Sequence, residues 1–263
     1  MEKAIYLSDI KKLSDTDLSG YQRLYFGAEF CEHLIPKVEE LKQAYDFAKQ
    51  AGLSFTLVTP YVTARGLEFA EPLLEALSAL GDENTEVVVN DYGILSMLRE
   101  RPNSLKPVLG RLLTRQRRGW GLYGSKREIP DKLIKAYQNT AVEVDIVVDF
   151  LNSMGVNRVE IDNLLHGVAS DFTNINLDAS VYYPYGLITT ARYCSWAFDG
   201  KKWLNITGSC PRTCRGNLLV ADHDFFEAKI YMRGNTQFYK KDDLDGLESK
   251  GIDRFIFEPE PPY

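Results

Sequence analysis

Residues 54–90 read SFTLVTPYVTARGLEFAEPLLEALSALGDENTEVVVN, and this stretch decides the fold class. Ser54–Thr59 is a short run of β-branched and apolar residues that stops at Pro60. Ala70, Leu73, Leu74, Leu77 and Leu80 then recur at helical spacing over 67–80, and Gly81 closes the pattern. Glu86–Asn90 (EVVVN) is a second strand candidate, followed by Asp91-Tyr92-Gly93. Such continuous apolar runs suit strands buried on both faces of a parallel sheet. A strand, a helix and a second strand in this order make one βαβ unit.

The same alternation extends outward in both directions. Lys3–Ser8, Gln22–Gly27, Lys106–Leu113, Asn157–Asp162, Ala179–Tyr185 and Asp253–Glu258 complete a set of eight strand candidates. Residues 34–50, 90–100 and 140–154 carry further helical patterns. Eight strands over this length predict a (β/α)8, TIM-barrel-like α/β fold. No linker rich in Pro, Gly and Ser interrupts the chain, so residues 1–263 are expected to form a single domain. Residues 195–240 make a long excursion between the seventh and eighth strands, with a hairpin expected around Gly234-Asn235. Neither the Rossmann glycine pattern nor a P-loop is present, which removes the usual support for a nucleotide site.

The chain has 263 residues, 44% hydrophobic and 26% charged, which excludes a mainly disordered protein. No apolar run reaches the length of a membrane helix, and Met1–Tyr6 lacks the pattern of a signal peptide. A cytoplasmic location without membrane insertion is the expectation. The net charge of −6 disfavours nonspecific nucleic-acid binding. The charge is uneven: residues 101–127 hold eight Lys or Arg and no carboxylate, so the rest of the chain sums to −14. That segment reads either as a solvated basic surface or as a site for an anion, with glycines after Arg118 suggesting a mobile lid.

Only four cysteines are present, too few for a disulfide scaffold. Cys31 follows the second strand, and Cys194, Cys210 and Cys214 follow the seventh. In a (β/α)8 barrel these segments share the C-terminal face, where active sites occur. Four thiolates can hold zinc or an iron–sulfur cluster. A single Cys-x3-Cys pair with two distant partners is awkward for a zinc knuckle and suits a cluster seated in a barrel mouth. Four unrelated cysteines packed as small hydrophobes remain the alternative.

Several segments resemble one known family. Leu24-Tyr-Phe-Gly-Ala-Glu-Phe-Cys31 resembles the motif Tyr-Leu-Gly-Glu-x-x-Cys, and Glu86–Gly93 resembles a strand ending in Asp-x-Gly. Arg158-Val-Glu-Ile161, Tyr185-Gly186 and the order Cys194, Cys210, Cys214 are also similar. The family they resemble is the collagenase-like peptidase family (U-thirty-two), in particular its branch that supports ubiquinone hydroxylation. The resemblance spans roughly residues 20–258. It implies a [4Fe-4S] cluster on Cys31, Cys194, Cys210 and Cys214, and oxygen-independent hydroxylation or related atom transfer on a small molecule. It further implies prephenate as oxygen donor, a dianion that the basic segment could attract, and a homologous partner subunit. This chain departs from the family by displacing an arginine, with Arg192-Tyr193-Cys194 in place of Arg-Cys, and by an insertion at about 114–140. Hydroxylation of RNA bases, peptide cleavage and a zinc-stapled barrel that only binds a partner are the rival readings. No nucleophile–base pair or zincin motif supports the peptidase.

Other residues attract attention by position. Glu29 precedes Cys31 and reads as a general acid or base, or as a helix N-terminal carboxylate. Glu160 and Asp162 end the sixth strand on the same side, where carboxylates are catalytic or paired with a barrel arginine. Tyr185, Arg192 and Arg118 are candidates for substrate binding, with Tyr182 and Tyr183 as pocket lining or barrel packing. Arg192, Arg212 and Arg215 bracket the cysteines and would favour thiolates or an anionic centre. His33 lies two residues from Cys31, and no histidine completes a catalytic triad.

Overall fold

The computed structural model of the chain describes residues 1–100, 105–118, 129–203, 210–223 and 226–263. Eight parallel strands close a barrel: β1 (Glu2–Leu7), β2 (Arg23–Gly27), β3 (Ser54–Val58), β4 (Glu86–Val89), β5 (Lys106–Leu109), β6 (Arg158–Asp162), β7 (Asp178–Tyr183) and β12 (Ile252–Phe257). Each strand pairs with its sequence neighbour, and β12 closes the ring between β7 and β1. The eight strands coincide with the eight candidates of the sequence, with two corrections. Lys106–Leu113 ends early, because the chain turns at Gly110 and sends Arg111 inward. Ala179–Tyr185 ends at Tyr183, because Pro184 has no N–H for the ladder, and Tyr185 opens a new strand.

Helices cover only part of the outside. These are α1 (Val38–Gln50), α2 (Ala64–Ser78), α3 (Tyr92–Arg99), α4 (Asp131–Gln138) and α5 (Asp145–Ser153). Their buried leucines and alanines join the outward residues of the strands in one core around the barrel. The expected helix at 34–50 starts later, since Pro36 follows a 3₁₀ turn at Glu32–Leu34. Helices separate successive strands from β2 to β6, with two of them, α4 and α5, between β5 and β6. No α-helix links β6 to β7, and after β7 a four-stranded sheet stands in its place. That sheet has the order β8 (Tyr185–Thr190), β11 (Thr236–Lys240), β10 (Phe226–Arg233), β9 (Leu219–His223). Its β10–β11 hairpin turns at Gly234-Asn235, as the sequence suggested. Among the described residues, no helix is long and apolar enough to cross a membrane.

The barrel interior is layered. Arg23, Thr56, Glu86, Ser180 and Arg254 form a polar layer at the N-terminal end, tied by Arg254 to Glu86 at 2.7 and 3.0 Å. Ala4, Tyr25, Val88, Val108, Tyr182 and Ile256 pack the middle. A second charged layer lies at the C-terminal ends of the strands, directly below the mouth.

Candidate functional site

Arg111 is the hub of that upper layer, with a side chain 0% exposed. Its guanidinium pairs with Glu29 at 2.7 Å, Glu258 at 2.6 Å and Asp162 at 3.0 Å. It also lies 3.9 Å from the centre of the Tyr182 ring. Asp162 takes further donors from Arg118 and from the backbone of Leu187. Burial raises Glu29 and pushes Glu258 well above the usual carboxylate range. Glu160 lies lower in the barrel and accepts from Tyr182 Oη at 2.6 Å. Its other oxygen is buried without a hydrogen-bond partner, and burial pushes the group up to about 8.

These positions bear on the three carboxylates expected to act as acids or bases. Glu29 and Asp162 are locked in ion pairs with a barrel arginine, and Glu29 caps no helix. Glu29, Glu160 and Asp162 are all fully buried, and none lines either of the two cavities at the mouth. Arg118 is engaged with Asp162 and the Arg111 carbonyl oxygen. Tyr185 packs edge-on against Tyr231, and its carbonyl oxygen accepts from Arg111. Of the basic segment, Arg101 and the stretch 119–127 lie outside the described residues, so the lid expectation falls there.

The four cysteines arrive on three segments. Cys31 follows β2 through Ala28–Phe30. Cys194 follows β8 and starts a 3₁₀ turn at Ser195–Ala197. Cys210 and Cys214 bracket a turn in which Arg212 takes a left-handed conformation, φ 53°. Thr213 Oγ1 donates to the Trp196 carbonyl at 3.0 Å and ties this turn to the Cys194 segment. Asn235 is the second tie. Its side-chain amide donates to the carbonyls of Phe30 at 2.7 Å and Ala191 at 2.6 Å. The hairpin turn therefore holds the Cys31 and Cys194 segments together, a role that no sequence pattern announced.

The thiols feel one another electrostatically. Burial pushes Cys31 up to about 12, helped by the charges of Cys210, Cys214 and Cys194. Burial also raises Cys194 and Cys214, again with neighbouring thiolates adding to the effect. All four are free of disulfides. Among the described residues, no three His, Cys, Asp or Glu side chains converge tightly enough to hold one metal ion.

Two cavities flank the Cys31–His33 segment. One of about 340 Å³ is lined by Cys31, Tyr61, Arg65, Arg192, Tyr193 and Asn235, among others. The other, of about 440 Å³, meets Cys210, Arg212, Lys37, Phe69 and the same Arg65. Arg192 donates to the Val62 carbonyl oxygen at 3.2 Å, and its guanidinium lies 5.1 Å from the centre of the Tyr61 ring. Of the three residues expected to bind substrate, only Arg192 lines a cavity beside the thiols.

No family description matches this sequence, and no curated protein does. Several solved structures share its general outline. CutC from Streptococcus agalactiae, named for copper homeostasis, is 12% identical over 69% of this chain and 87% of its own, with a TM-score of 0.44. A chitinase from Trichuris suis is 8% identical over 97% and 91%, with a TM-score of 0.37. Human YKL-39, a pseudo-chitinase that retains chitooligosaccharide binding, is 10% identical over 97% and 91%, with a TM-score of 0.37. Likenesses this remote say nothing of function. The barrel rests on the strand order of this chain itself.

Proposed function

We propose that this chain is an iron–sulfur protein of the collagenase-like peptidase type, with a [4Fe-4S] cluster held by Cys31, Cys194, Cys210 and Cys214. It would support oxygen-independent hydroxylation, or a related atom transfer, of a small molecule. One observation carries the reading: hydrogen bonds from Thr213 and Asn235 tie together, beside two cavities, the three segments that bear the four cysteines. The donor set fits the group. A four-iron cluster stands between its ligands, so its thiolates sit wider apart than those around one ion. Burial favours the neutral thiols of Cys31, Cys194 and Cys214, and a cationic centre would relieve this with release of their protons.

When bound, the cluster would supply one-electron transfer. The chain's own residues supply the rest. Arg192 and Arg65 present positive charge to an anionic substrate in the cavity that reaches Cys31, and Tyr61 and Tyr193 offer ring faces. Arg212 and Arg215 add positive charge to the Cys210–Cys214 turn. Asn235 fixes the two chain segments that form the cavity walls.

Anaerobic purification with iron, sulfide and zinc analysis tests the proposal on wild type and Cys210→Ala. The expected result is about four irons and four sulfides per chain and a broad brown absorption that the variant lacks. A colourless protein after anaerobic reconstitution, or one zinc per chain, would overturn it.

A further inference from the structure

The chain beyond β12 folds back over the mouth. Glu258 is buried against Arg111. Glu260 pairs with Lys12 and with Arg233, the latter at 3.2 Å. Arg233 Nη1 donates to the Pro261 carbonyl oxygen at 2.7 Å. The Arg233 guanidinium lies 5.0 Å from the centre of the Tyr263 ring. Tyr263 is itself only 3% exposed and packs in one cluster with Ala28, Leu34 and Cys214, against which Cys31 also rests. The anchor's turn abuts the thiol: Gly234, next to Arg233, lies so close that a Cβ on it would stand 3.3 Å from Cys214 Cβ.

We propose that residues 259–263, hinged at the fixed Glu258, form a strap whose Tyr263 ring seals Cys214 and the inner side of Cys31 from solvent. Release of the Arg233 clamp then opens the way to these thiols. Residues 259–263 belong to no strand or helix, so they can lift without breaking the barrel ladder. The clamp is also incomplete, since Arg233 Nε is buried without a hydrogen-bond partner. Opening the strap therefore costs less than opening the sheet. The strap deepens the proposed thiol centre and rests on that reading for what enters when it opens. Tyr263 and Arg233 are positioning residues: they act on the thiols through packing and take no part in chemistry.

The test uses the reduced, metal-free chain, with iodoacetamide as probe and mass spectrometry to follow each cysteine. In Tyr263→Ala, Cys214 should react about tenfold faster than in wild type, whereas Tyr263→Phe keeps the ring, loses only the hydroxyl's hydrogen bond with Asp9, and should stay well below the Ala rate. Cys194 is buried away from the strap cluster, so its rate should stay unchanged in both. An unchanged Cys214 rate in Tyr263→Ala would overturn the strap. So would a parallel rise at all four cysteines, which reports general loosening. Should Tyr263→Ala fail to fold, Glu260→Gln loosens the clamp alone, and a Cys214 rate no higher than wild type overturns the strap equally. Iron analysis plays no part in these rates, so strap and cluster can fail separately.

Discussion

Among the described residues Arg111 is the largest fully buried side chain, and it is charged. A guanidinium in such a place is tolerated only because Glu29, Asp162 and Glu258 surround it with close hydrogen bonds. Removing it leaves three carboxylates crowded together without their cation. Arg111→Met should therefore destabilise the protein by about 3–5 kcal/mol, measured by urea unfolding. Glu160 behaves oppositely, because burial favours its neutral form. Its folded pKa of about 8 exceeds the unfolded carboxylate value of 4.5, so the folded chain binds the extra proton between them. The contribution is complete below the unfolded value and is lost as pH rises through about 8. Glu160→Gln removes this dependence, so its stability relative to wild type should rise from pH 5 to pH 8, by at most about 4 kcal/mol. Parallel unfolding curves at the two pH values would show that Glu160 does not titrate in this window. In the sequence, Glu160 and Asp162 were readable as inward-facing neighbours from their spacing of two. Arg111 as the hub was not, since nothing local separates it from seven other cations in the same basic run.

At the scale of elements, strands were the most legible feature. Several barrel strands, such as β3 and β4, are short, nearly continuous apolar runs that need no partner to be recognised. The appended sheet was less visible. β8 begins at Tyr185, one residue after Pro184, so it reads as the tail of β7. Its identity depends on antiparallel pairing with β11, fifty residues away in the chain. Within that pair Gly186 faces Tyr239, and a Cβ on Gly186 would fall inside the Tyr239 ring. Tyr239 is buried and its hydroxyl donates to the Asn163 carbonyl oxygen at 2.9 Å, so the ring has nowhere to move. Gly186→Ala should cost about 1–3 kcal/mol by urea unfolding. The same change should loosen the β10–β11 turn, where Asn235 ties the cysteine segments, and so speed the alkylation of Cys31. A Cys31 rate equal to wild type would separate the sheet from the thiol centre.

At the scale of the whole molecule, barrel closure and the thiol centre are separate achievements. Eight paired strands and a core that wraps the barrel outside hold the fold, and the cysteines lie beyond the strand ends. Replacing all four cysteines with alanine should leave the far-ultraviolet circular dichroism spectrum unchanged while abolishing iron binding. Loss of the spectrum would mean that the mouth holds the barrel together. The sequence by itself determined the eight strands, their parallel order and the chain segments that reach the mouth. Strand periodicity and helical spacing are local, and a β-then-α alternation admits few topologies. Tertiary structure alone decided which arginine would sit among the carboxylates. It alone made Asn235 and Tyr263 parts of the thiol site. Those hydrogen bonds join residues from 44 to 205 positions apart, and burial, which gives them their energy, exists only once the barrel has closed.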